Sequence, residues 1–417
     1  MKLLWLSNIG PSAVEYERTG RRTDGLWMDS VLTGLRKNCD VTIRTLYAAD
    51  EQEEGRLDER CSYATFQGGL PYVYTTELET RFYGELKSFC PDVIHIWGTE
   101  YSHTLAMVNA AEKADLLDRL VIHIQGLCSV YAGHYAEGVP ASVCNGFTFR
   151  DWIRQDNIAQ QQKKFALRGE PETKALQKVR HVIGRTDWDK ACTTQANPEV
   201  VYHFGNETLR APFYEGQWSY ENCRKHRIFA SSCSYPVKGF HYLLEAFAEV
   251  LKYYPDATLA VPGKNCIPKT FKDRLRQGSY QKYLAKLIRK YGLEDKVEFL
   301  GGLSAEQMKE NYLQANVFAM PSTIENSPNS LGEAMLLGVP CVASDVGGIT
   351  TVMAHNTEGF IYQSTAPYML AYYIKTVFDM GEAAEQMGLQ AQAHAAHTHD
   401  PEKNLRELLD IYEKLAE

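Results

Sequence analysis

The sequence predicts an α/β protein made of two parallel-sheet domains. Short apolar runs alternate with longer stretches of helical periodicity, the pattern of strands crossed over by helices. The alternation comes in two series, separated by an aperiodic stretch. Polar loops holding Gly and Pro follow several of the apolar runs, at the strand ends where such sheets bind ligands. Two Rossmann-like units facing a central cleft are therefore expected.

The first series places strands at Leu3–Ser7, Val41–Leu46, Val93–Trp97, Leu120–Ile124 and His181–Gly184. Amphipathic helices are expected over Trp27–Arg36 and Thr104–Ala114. Phe204–Lys225 is rich in Tyr, Trp, Asn and Gly with little periodicity, and reads as a linker. The second series places strands at Arg227–Ala230, Thr258–Val261, Val297–Leu300, Val317–Met320, Pro340–Ala343 and Gly359–Tyr362. The helix from Phe240 to about Tyr254 repeats Leu243, Leu244, Phe247 and Val250 on one face. Ser304 to Gln307 reads as a capping box. Asp400-Pro401 opens a last helix whose stripe of Leu405, Leu408, Leu409, Tyr412 and Leu415 requires a partner surface. The expected domains are residues 1–205, a linker 206–225, residues 226–395, and a terminal helix within 396–417 that packs back on the first domain.

Composition narrows the partners. Of 417 residues, 44% are hydrophobic and 23% charged, ordinary globular values. A net charge of −8 argues against nucleic acid. No apolar run has the length of a membrane span, and Met1–Leu6 is too short for a signal core, so it reads as a buried first strand. The ten cysteines form no C-x-x-C pair and no zinc spacing, which fits a reducing cytoplasm without disulfides or structural zinc.

The chemistry concentrates between Met320 and Pro340. A strand ends at Met320, a polar loop carries Glu325, and a helix starts near Ser330 with Glu333 in its first turn. The free amides and the dipole of that helix make an anion site beside two carboxylates. Such a mixture suits a ligand with both phosphates and hydroxyls. Ser330-Leu-Gly-Glu333 also reads as a capping box, which would explain Glu333 without a ligand. Lys238, in Tyr235-Pro-Val-Lys-Gly-Phe240, stands between a strand and its helix, where a fixed cation would stabilise a leaving phosphate; an ordinary solvated turn reads the same way. Asp187-Trp-Asp189 is a D-x-D triplet that looks like a helix cap. His95 and His123 lie at strand ends, His95 sharing a face with Trp97 and His123 with Gln125. They are expected to line the first domain's side of the cleft, although a strand histidine is more often a core residue. Arg150–Arg168 is basic and suits either an anionic membrane surface or an acceptor lipid phosphate; a solvated helix face is the plainer reading.

The spacing Glu325-x7-Glu333, continuing through Ala-Met-Leu-Leu-Gly338-Val-Pro340 to Asp345-Val-Gly-Gly348, resembles the retaining glycosyltransferases of family 4, which have the two-domain GT-B fold. Val297-Glu-Phe-Leu-Gly301-Gly302 and Ala315–Ser322 are similar to that family too. The resemblance covers the second half and is looser in the first, the acceptor side. It implies a nucleotide-diphosphate sugar as donor, a glycan or lipid-linked hydroxyl as acceptor, transfer of a hexose-type sugar, and no metal. Glu325 would contact the donor sugar, Glu333 the ribose, amides around Asn329, Ser330 and Leu331 the diphosphate, and Lys238 the leaving phosphate. Gly10 and Gly302 would lie near the donor. The family's arginine five residues before Lys-Gly is here Cys233, so Arg185 or Arg210 would have to substitute. Gln125 aligns with the family's histidine and cannot act as a base. The resemblance places the enzyme in polysaccharide or lipid-linked glycan assembly, in the cytoplasm or peripherally at the membrane's inner face. A catalytically weak sugar-nucleotide-binding subunit and a GT-B sugar-nucleotide epimerase remain alternatives.

Overall fold

The computed structural model describes residues 1–21 and 28–417. Trp27, at the expected start of a helix over Trp27–Arg36, lies outside them; the helix runs Asp29–Asn38.

The first sheet contains β1 (Lys2–Ser7), β2 (Thr42–Ala48), β3 (Glu54–Arg56), β4 (Cys61–Phe66), β5 (Val93–Trp97), β6 (Leu120–His123), β7 (His181–Gly184) and β8 (Val201–Phe204), in the order β3-β4-β2-β1-β5-β6-β7-β8. All pairs are parallel except the β3–β4 hairpin. β4 and β8 escape a hydrophobic reading for different reasons. β4, Cys-Ser-Tyr-Ala-Thr-Phe, buries Ala64 and the polar Thr65 among Cys61, Tyr63 and Phe66, which interrupts its apolar run, and β8 is a half-exposed edge.

The second sheet contains β9 (Arg227–Phe229), β10 (Thr258–Val261), β11 (Val297–Phe299), β12 (Val317–Met320), β13 (Cys341–Asp345) and β14 (Phe360–Gln363), in the order β11-β10-β9-β12-β13-β14, all parallel. Counted within its own series this is 3-2-1-4-5-6, the doubly wound order whose ligand crevice opens between strands 1 and 4.

Contacts divide the chain into two compact units. One holds residues 1–132, 164–210 and 398–417, the other 133–163 and 211–397. The sequence division placed 133–163 with the first domain. Specific bonds tie the segment to the second. The Thr323 hydroxyl donates to the carbonyl of His134 at 2.9 Å, and His241 Nε2 meets the carbonyl of Glu137 at 3.0 Å. The buried Asp151 carboxylate accepts the Ser279 amide at 2.9 Å, at the start of the helix Ser279–Tyr291, whose own cap residue is Gly278. Trp218, from the expected linker, is buried in the second unit and donates its indole N–H to the carbonyl of Ala315 at 2.6 Å.

The terminal helix Pro401–Ala416 is capped by Asp400 and belongs to the first unit. Its Leu408, Ile411, Tyr412 and Leu415 complete a core with Leu3, Trp5 and Trp97.

Candidate active site

Three loops of the second unit converge at the carboxyl ends of β9, β12 and β13. Pro236–Lys238 forms one turn of 3-10 helix after β9, ended by Gly239 at φ +64°. A Cβ at Gly239 would overlap the carbonyl of Pro321, so only glycine lets this turn press on the loop after β12. The Thr323 amide then donates to the carbonyl of Val237 at 2.8 Å. From the other side Gly347, at φ +52°, lies where a Cβ would overlap the carbonyl of Glu325, and the Gly348 amide donates to that carbonyl at 3.1 Å. The Glu325 backbone is thus clamped between two glycine turns.

Its side chain is held as tightly. Lys238 Nζ donates to Glu325 Oε1 at 2.6 Å, and the Ser322 hydroxyl donates to the same oxygen at 2.7 Å. Oε2 receives no hydrogen bond from the described residues. Glu325 is 7% exposed, and the Lys238 side chain 34%, so the ammonium remains open to a ligand. Two donors fix one carboxylate oxygen and leave the other to accept a hydroxyl.

The helix after this loop runs Asn329–Leu336, with Pro328 as its cap residue and no side-chain cap. The capping-box reading of Ser330 and Glu333 is therefore incorrect. Glu333 lies in the second turn, not the first, and is buried at 3% exposure. The Leu331 amide is already bonded to the carbonyl of Pro328 at 2.9 Å, which removes it from the expected anion-binding set. The amides of Asn329 and Ser330 have no acceptor among the described residues. The Ser330 carbonyl accepts the Tyr312 hydroxyl at 2.9 Å, which anchors the helix start.

Cys233, in the place of the family's arginine, is buried with its thiol 3.4 Å from the carbonyl of Pro262. Burial pushes that thiol up to about 11, so it supplies no charge. It lines a pocket of about 470 Å³ with Ser234, Gly263, Lys264 and Gly302. A Cβ at Gly302 would meet nothing, so neither turn geometry nor packing requires glycine there. Lys264, which sequence reasoning did not single out, is the lysine of this pocket.

The remaining predicted residues lie in the first unit. Gly10 follows β1, and a Cβ there would stand 2.7 Å from the ring of Tyr47, so packing alone demands glycine. His95 does not line a ligand surface. It is completely buried, bonded through Nδ1 to the Tyr412 hydroxyl at 2.5 Å, and stacked on Trp97 at 4.1 Å. Burial, with His123 nearby, holds it well below the usual histidine range. Arg185 is no free cation either. It is buried and donates to Glu207 Oε2 at 2.6 Å, while Gln125 Nε2 donates to Oε1 at 2.5 Å. Both side chains serve a buried carboxylate that the sequence reading missed, because Glu207 stood in an aperiodic stretch. Arg210 is half-buried and is the last residue of the segment 164–210 of that unit. Asp189 spends its carboxylate on the amides of Arg185 and Thr186 and on the Tyr202 hydroxyl, so the D-x-D triplet is a cap. Among the described residues no group of three or more His, Cys, Asp or Glu is placed to hold a metal ion. No described helix is long and apolar enough to cross a membrane.

Residues 222–394 match the family model of glycosyl transferases group 1. An uncharacterized glycosyltransferase of Methanocaldococcus jannaschii is 25% identical over 185 residues, 44% of each chain. A D-inositol 3-phosphate glycosyltransferase of Corynebacterium efficiens is 28% identical over 166 residues, 38% of this chain and 36% of that one. The chain thus matches less than half the length of these curated relatives. Among solved structures, the sucrose-phosphate synthase of Thermosynechococcus elongatus superposes with a TM-score of 0.68 over 100% of this chain and 99% of its own, at 14% identity. Anabaena HepE in complex with UDP-glucose superposes with a TM-score of 0.65 over 99% of both chains, at 18% identity. The fold of the chain is that of the GT-B glycosyltransferases, and the segment that carries Lys238, Glu325 and Glu333 lies within the match to glycosyl transferases group 1.

Proposed function

We propose that the chain is a glycosyltransferase that moves a hexose-type sugar from a nucleotide-diphosphate sugar to a hydroxyl of a glycan or lipid-linked acceptor, with retention of anomeric configuration. The observation that carries this reading is the Lys238–Glu325 pair at the strand-order reversal of the second sheet, beside two free helix amides. Solved neighbours in complex with UDP and with UDP-glucose support a nucleotide sugar as donor.

In this mechanism the amides of Asn329 and Ser330 hold the diphosphate, and Glu333 accepts from the ribose hydroxyls. Lys238 turns its ammonium to the phosphate oxygen on which charge develops. Lys264, rather than Arg185 or Arg210, supplies the second positive charge that Cys233 lacks. Glu325 Oε2 accepts a sugar hydroxyl and orients the ring. The acceptor oxygen bonds to the anomeric carbon on the face that the phosphate leaves. The broken C–O bond leaves its electron pair on the phosphate oxygen, and that oxygen takes the acceptor's proton. No enzymic base and no metal are needed.

A thermal-shift panel of nucleoside diphosphates and their sugars identifies the donor. Transfer is then followed with wild type and Glu325→Ala, with NMR reading the anomer. The expected result is donor-dependent transfer that Glu325→Ala abolishes. Binding without turnover identifies a binding subunit, and an isomerised donor without acceptor an epimerase. Unchanged transfer by Glu325→Ala overturns the assignment of the site.

A further inference from the structure

The second unit carries another basic surface, which borders the pocket of Cys233 and shares Lys264 with it. Two short helices, Phe149–Arg154 and Phe271–Arg276, pack on one another and flank a basin of about 970 Å³. Arg154, Lys269, Lys272 and Arg276 line it. Arg154, Lys269 and Lys272 have no ion pair among the described residues. Asp273, in the same lining, is committed to capping its own helix through Thr270. In a chain of net charge −8 this is a local reversal of sign.

The rim is apolar. Phe149 is 54% exposed, Trp152 65%, Ile153 60% and Phe271 75%. The helix that bears three of them is not loose, because Asp151 is fully buried and holds the Ser279 amide. Large apolar side chains kept outward on an anchored helix mark an interaction surface.

The two chemistries together select the partner. A soluble acidic polymer would satisfy the cations and leave the rim in water. An apolar protein face would cover the rim and leave the cations unpaired. Headgroup phosphates above acyl chains satisfy both at once. We propose that the helices Phe149–Arg154 and Phe271–Arg276 dock this protein on an anionic phospholipid bilayer. The rim side chains enter the headgroup boundary, and the basin cations contact phosphates.

The test is co-flotation of the full chain with phosphatidylcholine vesicles, with and without phosphatidylglycerol. Binding is expected only with the anionic lipid, weakening as salt rises. Lys269→Ala with Lys272→Ala should weaken it about 30-fold, from about 1 kcal/mol per basic residue near the surface. Trp152→Ser with Phe271→Ser should weaken it by about tenfold or more. Both double variants should keep the melting temperature and the nucleotide-induced shift of wild type, which separates this surface from the donor site. Equal vesicle binding by wild type and both variants overturns the proposal. So does wild type that binds soluble polyphosphate but no vesicle, which would make the occupant an acidic polymer.

Discussion

In the first unit the strands flanking the order reversal, β1 and β5, bring Trp5, His95 and Trp97 into a stack sealed by Tyr412. In the second, β9 and β12 lead to Lys238 and Glu325, an ion pair whose lysine remains one-third exposed. The same winding order therefore supports opposite electrostatics. Burial keeps the histidines of the first reversal neutral, with His95 and His123 both well below their usual range. Glu172, at the carboxyl end of the same region, is buried but saturated by Thr99, Cys128 and Ser129. Charged groups there are neutralised or fully bonded, whereas the second unit leaves an ammonium and a carboxylate oxygen to a ligand. Topology provides the crevice, and the residues on the loops decide whether it is filled or kept open.

This contrast can be broken most forcefully at Arg185. Arg185→Ala leaves Glu207 buried without its cation, and should cost about 3–5 kcal/mol in denaturant unfolding. Transfer by the folded fraction should survive. Lys238→Ala should do the reverse. Removing one fixed cation from the developing charge should lower kcat by about 10²–10³-fold, while stability changes by about 1 kcal/mol or less because the pair is partly solvated. If instead Arg185→Ala abolished transfer without destabilising the fold, and Lys238→Ala did neither, the chemistry would belong to the first unit.

Acid sharpens the comparison because each unit buries a histidine. Burial pushes His103 down to about 3 in the first and His241 to about 4 in the second. Between these values and the unfolded value of about 6.5, the unfolded chain binds more protons than the native one, so stability rises with pH. It should therefore be lost as pH falls below about 6.5, by about 2 kcal/mol from each histidine at pH 5. The His241 part should level off near its folded value. Unfolding midpoints measured from pH 7.5 to 4 check this; a flat profile would mean these rings are solvated. The smallest effect is expected for Tyr412→Phe, which removes one hydrogen bond to His95 and leaves the packing, about 1 kcal/mol in thermal or urea unfolding.

The chemistry-bearing loop was legible because its signals are local. Met320 ends a strand, Pro328 precedes a helix, and Glu325 and Glu333 follow at fixed spacing, so one short segment contains loop, helix start and both acids. Lys238-Gly239 was legible only as a turn between strand and helix, since a solvated turn reads the same way; its role as a cation came from the family resemblance. The failures are non-local. His95 looked accessible at a strand end until Tyr412, 317 residues away, closed over it. Glu207 had no pattern at all, and its meaning comes only from Arg185 and Gln125 reaching it.

The sequence by itself determined the α/β class and the two series of strands. Periodicity and turn residues act over a few positions, and each such stretch reports on itself. Only the tertiary structure decided that residues 133–163 join the second unit through Thr323, His241 and Ser279, and that a buried Asp151 turns Trp152 outward. It also decided that Arg185 is consumed by Glu207. Burial and pairing are properties of side chains brought together from distant positions, and no local pattern records which charge will find a partner.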